Sequence, residues 1–127
     1  MLILMALTSG GLLAWPVLAK GGGMGAVSAT EAVRLINREK AVLIDVSEPA
    51  EFAAGHAAGA RNVPLAGLAG AKALPTNKTL PVVLVCPTGT RARRAAAQLR
   101  AAGHEKASAL AGGLAAWREA SLPVERA

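Results

Sequence analysis

The chain is short of cysteine, histidine and aromatic residues, and each shortage excludes something. Cys86 is the sole cysteine among 127 residues, so neither an internal disulfide nor a cysteine-based zinc site can form. His56 and His104 are the two histidines, too few and too far apart for a metal motif. There is no tyrosine, and the aromatics are Trp15, Phe52 and Trp117, so Ala, Val, Leu and Ile must build the core. The net charge of +6 favours anions. No basic stripe is interleaved with aromatics, however, so a nucleic-acid partner is not expected. The length suits one compact domain with an appendage.

Charge is also missing locally. Residues 1–19 carry no charged side chain. As a helix, Leu2 to Ala19 would span about 27 Å, close to the roughly 30 Å hydrocarbon core of a bilayer. Gly10, Gly11 and Pro16 weaken it, although membrane helices tolerate such residues. Trp15 suits an interfacial anchor. This pattern predicts a membrane anchor over 1–19. A cleaved signal peptide ending in Val17-Leu18-Ala19 is the alternative, without the usual basic start. A buried soluble helix is the third reading, set against the lack of a polar face. Lys20, Arg34, Arg38 and Lys40 all follow the segment, which places the next domain on the cytoplasmic side of the inner membrane. Signal cleavage would instead make it periplasmic or secreted. Residues 20–27 are glycine-rich and read as a linker.

Over 28–127, apolar strands alternate with helical stretches. Ser28 is an expected N-cap, with Glu31 as its capping-box partner. Ala29 to Arg38 reads as a helix with Ala32, Leu35 and Ile36 on one face. Strands are expected over 41–46, 60–63, 81–85 and 106–110, and helices over 48–54, 90–102 and 112–120. Residues 65–74 read as weakly helical and 55–59 as a turn. This alternation is that of an α/β domain with a mainly parallel sheet. Sites in such sheets lie at the carboxyl ends of strands, where Asp45 and Cys86 both fall.

Cys86 ends a β-branched run and opens the loop Pro87-Thr88-Gly89-Thr90-Arg91, before an alanine-rich helical stretch. Backbone N–H groups and a helix N-terminus favour an anion there, and nearby arginines favour the thiolate. The opposing reading is a small buried hydrophobe. Asp45 either orients a loop residue or caps nearby backbone. His56 reads as a structural hydrogen-bonder, Trp117 as core and Arg61 as a surface or fold-bracing charge.

Three stretches carry a resemblance. Leu43-Ile44-Asp45-Val46 through Phe52 and Gly55-His56 to Val63-Pro64-Leu65 resembles the first signature of the rhodanese (thiosulfate sulfurtransferase) family. Cys86 to Ala92 resembles its catalytic loop. Leu110 to Trp117, with Leu122-Pro123-Val124, resembles its closing signature. The resemblance implies a five-stranded parallel sheet flanked by helices, and a double-displacement sulfur transfer. In it Cys86 takes sulfane sulfur from a small anionic donor such as thiosulfate. The persulfide then passes sulfur to cyanide, a thiol or a protein partner. Pro87, Thr88, Gly89, Thr90 and Arg91 would bind substrate, with Arg91 either bracing the loop or neutralising the anion, and Asp45 would support them. No cofactor or metal is implied. Cysteine phosphatases resemble this loop too, but theirs is one residue longer, with arginine where this chain has Ala92. The family usually has arginine at the position of Ser47, and strong thiosulfate users often carry cations at Pro87 and Thr88. Both departures favour an alternative, a persulfide carrier or partner-binding module with little activity on free thiosulfate.

Overall fold

The computed structural model describes residues 25–126. The expected anchor over 1–19 and most of the expected linker lie outside them. Among the described residues, no helix is long and apolar enough to cross a membrane.

The elements in chain order are β1 (Ala26–Val27), α1 (Ala29–Glu39), β2 (Val42–Asp45), α2 (Pro49–Ala54), β3 (His56–Ala57) and β4 (Arg61–Asn62). A 3-10 turn follows at Leu65–Gly67. Then come β5 (Val82–Val85), α3 (Thr90–Ala101), β6 (Ala107–Leu110), α4 (Gly113–Glu119) and β7 (Val124–Glu125). Five strands form a parallel sheet in the order β1-β6-β5-β2-β4. β3 and β7 pair antiparallel beside it. The five-stranded parallel sheet flanked by helices that the resemblance implies is therefore present.

Alternation along β5 divides the core between two layers. Val82, Leu84 and Cys86 belong to one apolar cluster with Ala92, Ala95, Ala96 and Leu99 of α3. Those α3 positions follow helical spacing, and the small alanines let the helix sit close to the sheet. Val83 and Val85 belong to the other cluster, with Ala32 of α1, Leu110 and Trp117. All four β5 residues are fully buried, as suits a central parallel strand. Truncating one, as in Leu84→Ala, should cost about 2–5 kcal/mol.

Caps fix where the helices start. The Ser28 side chain accepts the Glu31 N–H, but the Glu31 carboxylate turns to Arg34, so the expected box is half made. A complete box forms instead on α2, between Glu48 and Glu51, with Pro49 in the first turn. Three further expectations need correction. Ala26–Val27, expected in the linker, form the edge strand β1 on β6. His56–Ala57, expected in a turn, pair with β7. Residues 65–74 form no α-helix beyond the short 3-10 turn. Gly70 there has a φ of 70°, which a right-handed helix does not accommodate.

Three side chains behave as expected. The His56 ring stacks on Phe52 at 3.6 Å, and its Nδ1 lies 2.7 Å from the Phe52 carbonyl. Trp117 is buried and donates its indole N–H to the Pro123 carbonyl at 2.7 Å. Arg61 donates to the Ala73 carbonyl at 2.7 Å and so braces the fold.

Candidate active site

β2 and β5 run parallel in a register that sets Asp45 beside Val85. The Asp45–Ser47 and Cys86–Arg91 segments therefore emerge together at the carboxyl end of the sheet. β6 ends at the same side, and its loop to α4 carries Gly112 and Gly113.

Strand alternation turns the Cys86 side chain under the first turn of α3. Its residue is 1% exposed. The Sγ accepts the Gly89 N–H at 2.9 Å and the Ala92 N–H at 3.4 Å. Gly89 is the N-cap of α3 with a φ of 99°, a conformation open to glycine at no steric cost. Donors that converge on sulfur inside a buried cradle suit a thiolate or a persulfide anion.

The far side of the loop is held by α4. Leu114 donates its N–H to the Cys86 carbonyl at 2.9 Å. Gly113 passes so close that a Cβ there would lie 2.1 Å from that carbonyl oxygen. No side chain fits at 113 without moving the cysteine.

Arg91 leaves the loop to make a two-pronged ion pair with Glu51 of α2, at 2.8 and 3.0 Å. The Arg91 guanidinium, helped by the Glu48 backbone N–H, holds the Glu51 carboxyl down at about 2. The same pair raises the Arg91 pKa. Arg91 thus braces the loop against α2. This leaves its fork less free for an incoming anion.

Asp45 accepts the Ser47 N–H at 2.8 Å and the Ser47 hydroxyl. Asn62 donates to the carbonyls of Asp45 and Ser47 at 3.2 and 2.9 Å. Asp45 is therefore a cap for its own loop.

Beside the two loops lies a cleft of about 260 Å³. Its walls include Asp45, Ser47, Glu51, Gly55, Pro87 and Arg118. Pro87 joins the cleft to the cysteine loop. Thr88 and Thr90 are exposed, do not line the cleft, and have their hydroxyls 3.5 Å apart. The geometry thus brings Cys86 and Gly89 into contact, sets Asp45 and Pro87 on one cleft, and leaves the two threonines outside. Glu51, Gly113 and Arg118 were missed as site residues. Their signal lay in the first and closing signatures, where Glu51 reads as a helix-start acid and Arg118 follows Trp117. Among the described residues there is no cluster of His, Cys, Asp and Glu able to hold a metal.

The structure thus sets a buried cysteine, with two N–H groups on its sulfur, at the end of a central parallel strand. The particular family is shown by comparison. The rhodanese-like domain profile matches residues 28–120, and the chain belongs to that family. It is 39% identical over 91 residues to the Synechocystis protein slr1261, a match that covers 72% of this chain and 50% of that protein. The chain thus spans about half the length of that relative. Over 99 residues it is 35% identical to the thiosulfate sulfurtransferase GlpE of Pseudomonas putida, covering 76% of this chain and 86% of GlpE. Among solved structures it is similar to the human single domain sulfurtransferase TSTD1. That match has a TM-score of 0.68 and 28% identity, over 76% of this chain and 97% of the other.

Proposed function

We propose that the chain from β1 at Ala26 onward forms a sulfurtransferase domain in which Cys86 carries sulfane sulfur as a persulfide. The observation that carries this reading is the buried Sγ with N–H donors from Gly89 and Ala92. In the first half-reaction the Cys86 thiolate attacks the outer sulfur of thiosulfate. The S–S bond of thiosulfate breaks, and sulfite leaves with the electron pair. The persulfide anion stays in the cradle, where fixed N–H dipoles stabilise it without reorganising. In the second half-reaction cyanide or a thiolate attacks the outer sulfur, and the Cys86 thiolate is restored. No oxidant or cofactor enters. Similarity to the thiosulfate sulfurtransferase GlpE and the single domain sulfurtransferase TSTD1 supports the same chemistry here. The shorter loop, with Ala92 where a phosphatase has arginine, speaks against phosphate as substrate.

The test is to weigh the intact protein after incubation with thiosulfate. A gain of one sulfur atom that is absent in Cys86→Ala supports the reading. Absence of that gain with every sulfane donor would sink it.

A second reading is a persulfide carrier that exchanges with another protein and uses free thiosulfate slowly. It is favoured by the engagement of Arg91 with Glu51 and by the neutral Ser47 at the cleft wall. Rapid cyanide turnover with thiosulfate would count against it, whereas loading only from a protein persulfide would support it.

Residues 1–19 complete the proposal as an inner-membrane anchor, joined by residues 20–25 to a cytoplasmic domain. Release of the full chain from membranes by carbonate washing would overturn that placement. Recovery of a chain shortened at Ala19 outside the cytoplasm would favour signal cleavage.

A further inference from the structure

The charges around the cleft leave one group without a partner. Asp45 is satisfied by the Ser47 N–H and hydroxyl. Glu51 is satisfied by Arg91 and by the Glu48 N–H. Ser47 is neutral. Arg118, in the last turn of α4, lines the same cleft, and none of the ion pairs among the described residues involves it. Its guanidinium lies over the backbone of Gly55, where a Cβ would meet Nη2 at 2.6 Å. Glycine at 55 is therefore what leaves room for the guanidinium against the cleft wall. The φ of 165° is ordinary extended backbone, so the requirement at 55 is for space and not for conformation.

We propose that Arg118 is the cation that receives the anionic group of the sulfur donor, taking the part that Arg91 cannot play while Glu51 holds it. This rests on the reading of Cys86 as the persulfide residue. The arrangement divides the site into two functions. The cradle around Cys86 holds the transferred sulfur by backbone N–H groups. Arg118 holds the part of the donor that is left behind, the sulfite oxygens in the case of thiosulfate. The step keeps its balance: the thiosulfate S–S bond breaks, the Cys86 S–S bond forms, and sulfite departs from Arg118. Cyanide needs no such contact, so discharge of the persulfide by cyanide does not depend on Arg118.

The experiment measures single-turnover persulfide formation on the full chain against thiosulfate concentration, by quenching and weighing. It then measures discharge by cyanide. Loss of a charge-assisted contact should raise the thiosulfate concentration for half-maximal loading about tenfold or more in Arg118→Ala. Arg118→Lys should fall between that variant and the unaltered protein. Gly55→Ala keeps the charge but displaces the guanidinium, and should weaken loading in the same direction. Discharge by cyanide should be unchanged in all three. Because Arg118 is exposed, added salt should weaken loading of the unaltered protein and have less effect on Arg118→Ala. In Cys86→Ala protein, calorimetric sulfite binding should be lost when Arg118→Ala is added.

Half-maximal loading of Arg118→Ala at the same thiosulfate concentration as the unaltered protein would overturn the proposal and leave the persulfide reading standing. Failure of the unaltered protein to load from any sulfane donor would overturn both. Should Arg118→Ala fail to fold, Arg118→Lys and Gly55→Ala carry the same test. Equal slowing of loading and cyanide discharge would mark Arg118 as structural and would also overturn the proposal.

Discussion

β2 and β5 are neighbours that end level with each other, yet their loops use polar groups in opposite ways. After β2, Asp45, Ser47 and Asn62 satisfy one another and the local backbone. After β5, the Gly89 and Ala92 N–H groups point at a single sulfur atom. The first loop is closed upon itself, as expected of a brace. The second aims its donors at the sulfur and is held from behind by α4 and Arg91. The difference shows that carboxyl-end position alone does not set a side chain's surroundings; the direction of the neighbouring hydrogen bonds does.

The sharpest way to break this contrast is to disturb the backing of the second loop. Gly113→Ala adds a Cβ in collision with the Cys86 carbonyl, at a φ of 60°. Overpacking and left-handed backbone together should cost about 3 kcal/mol or more. Denaturant unfolding would read that loss, and intact mass should show little persulfide in the folded fraction.

Next comes the brace. Asp45→Ala leaves the Ser47 N–H and hydroxyl unpaired in a buried place, which should destabilise by about 2–3 kcal/mol. Persulfide loading of the folded protein should change only a few-fold. Abolished loading at intact stability would show that Asp45 acts in the chemistry and would erase the distinction between the loops.

Gly89→Ala should be milder in stability than either. A Cβ at 89 meets its nearest neighbours at 3.4 Å, ordinary contact, so the cost is mainly the left-handed backbone, about 1–2 kcal/mol. The larger effect should fall on the loading rate, since the Gly89 N–H is the shorter of the two bonds to sulfur.

The smallest effect belongs to Glu51→Gln. The folded carboxyl is depressed to about 2 from an ordinary 4.5, so its pairing contributes stability above about pH 4.5. That contribution is lost as pH falls through about 2. Thermal melts should therefore show the Gln variant slightly below the unaltered protein at neutral pH, with the gap closing in acid. The salt dependence of this gap should be marked, because the pair is part-exposed.

Residues near in sequence made much of this readable. The cysteine loop is local: a β-branched run, a glycine at the turn and alanines at helical spacing lie within one stretch. Buried strands announce themselves as short apolar runs, and Val82–Val85 does so clearly. Two residues have no period to detect, so of the two-residue strands β4 shows only through the Pro64 that closes its stretch, and β1, β3 and β7 do not show at all. Nor does spacing along the chain join Glu51 to Arg91, forty positions apart. Arg118 reads as an ordinary helical surface charge until folding sets it over Gly55. What escaped the sequence is thus pairing across the sheet and between helices, where chemistry depends on partners and not on residue type.

The burial of Cys86 bears finally on which of two sulfurs a nucleophile meets. A persulfide offers an inner atom and an outer one. Attack on the outer atom hands sulfur on and frees the cysteine. Attack by a thiolate on the inner atom expels hydrosulfide and leaves the cysteine blocked as a mixed disulfide. With the cysteine residue 1% exposed, the inner atom of the proposed Cys86 persulfide would be screened by Gly89, Ala92 and the loop backbone. The fold would then act as a regiochemical filter, which matters more where the sequence offers no second cysteine to undo the wrong adduct.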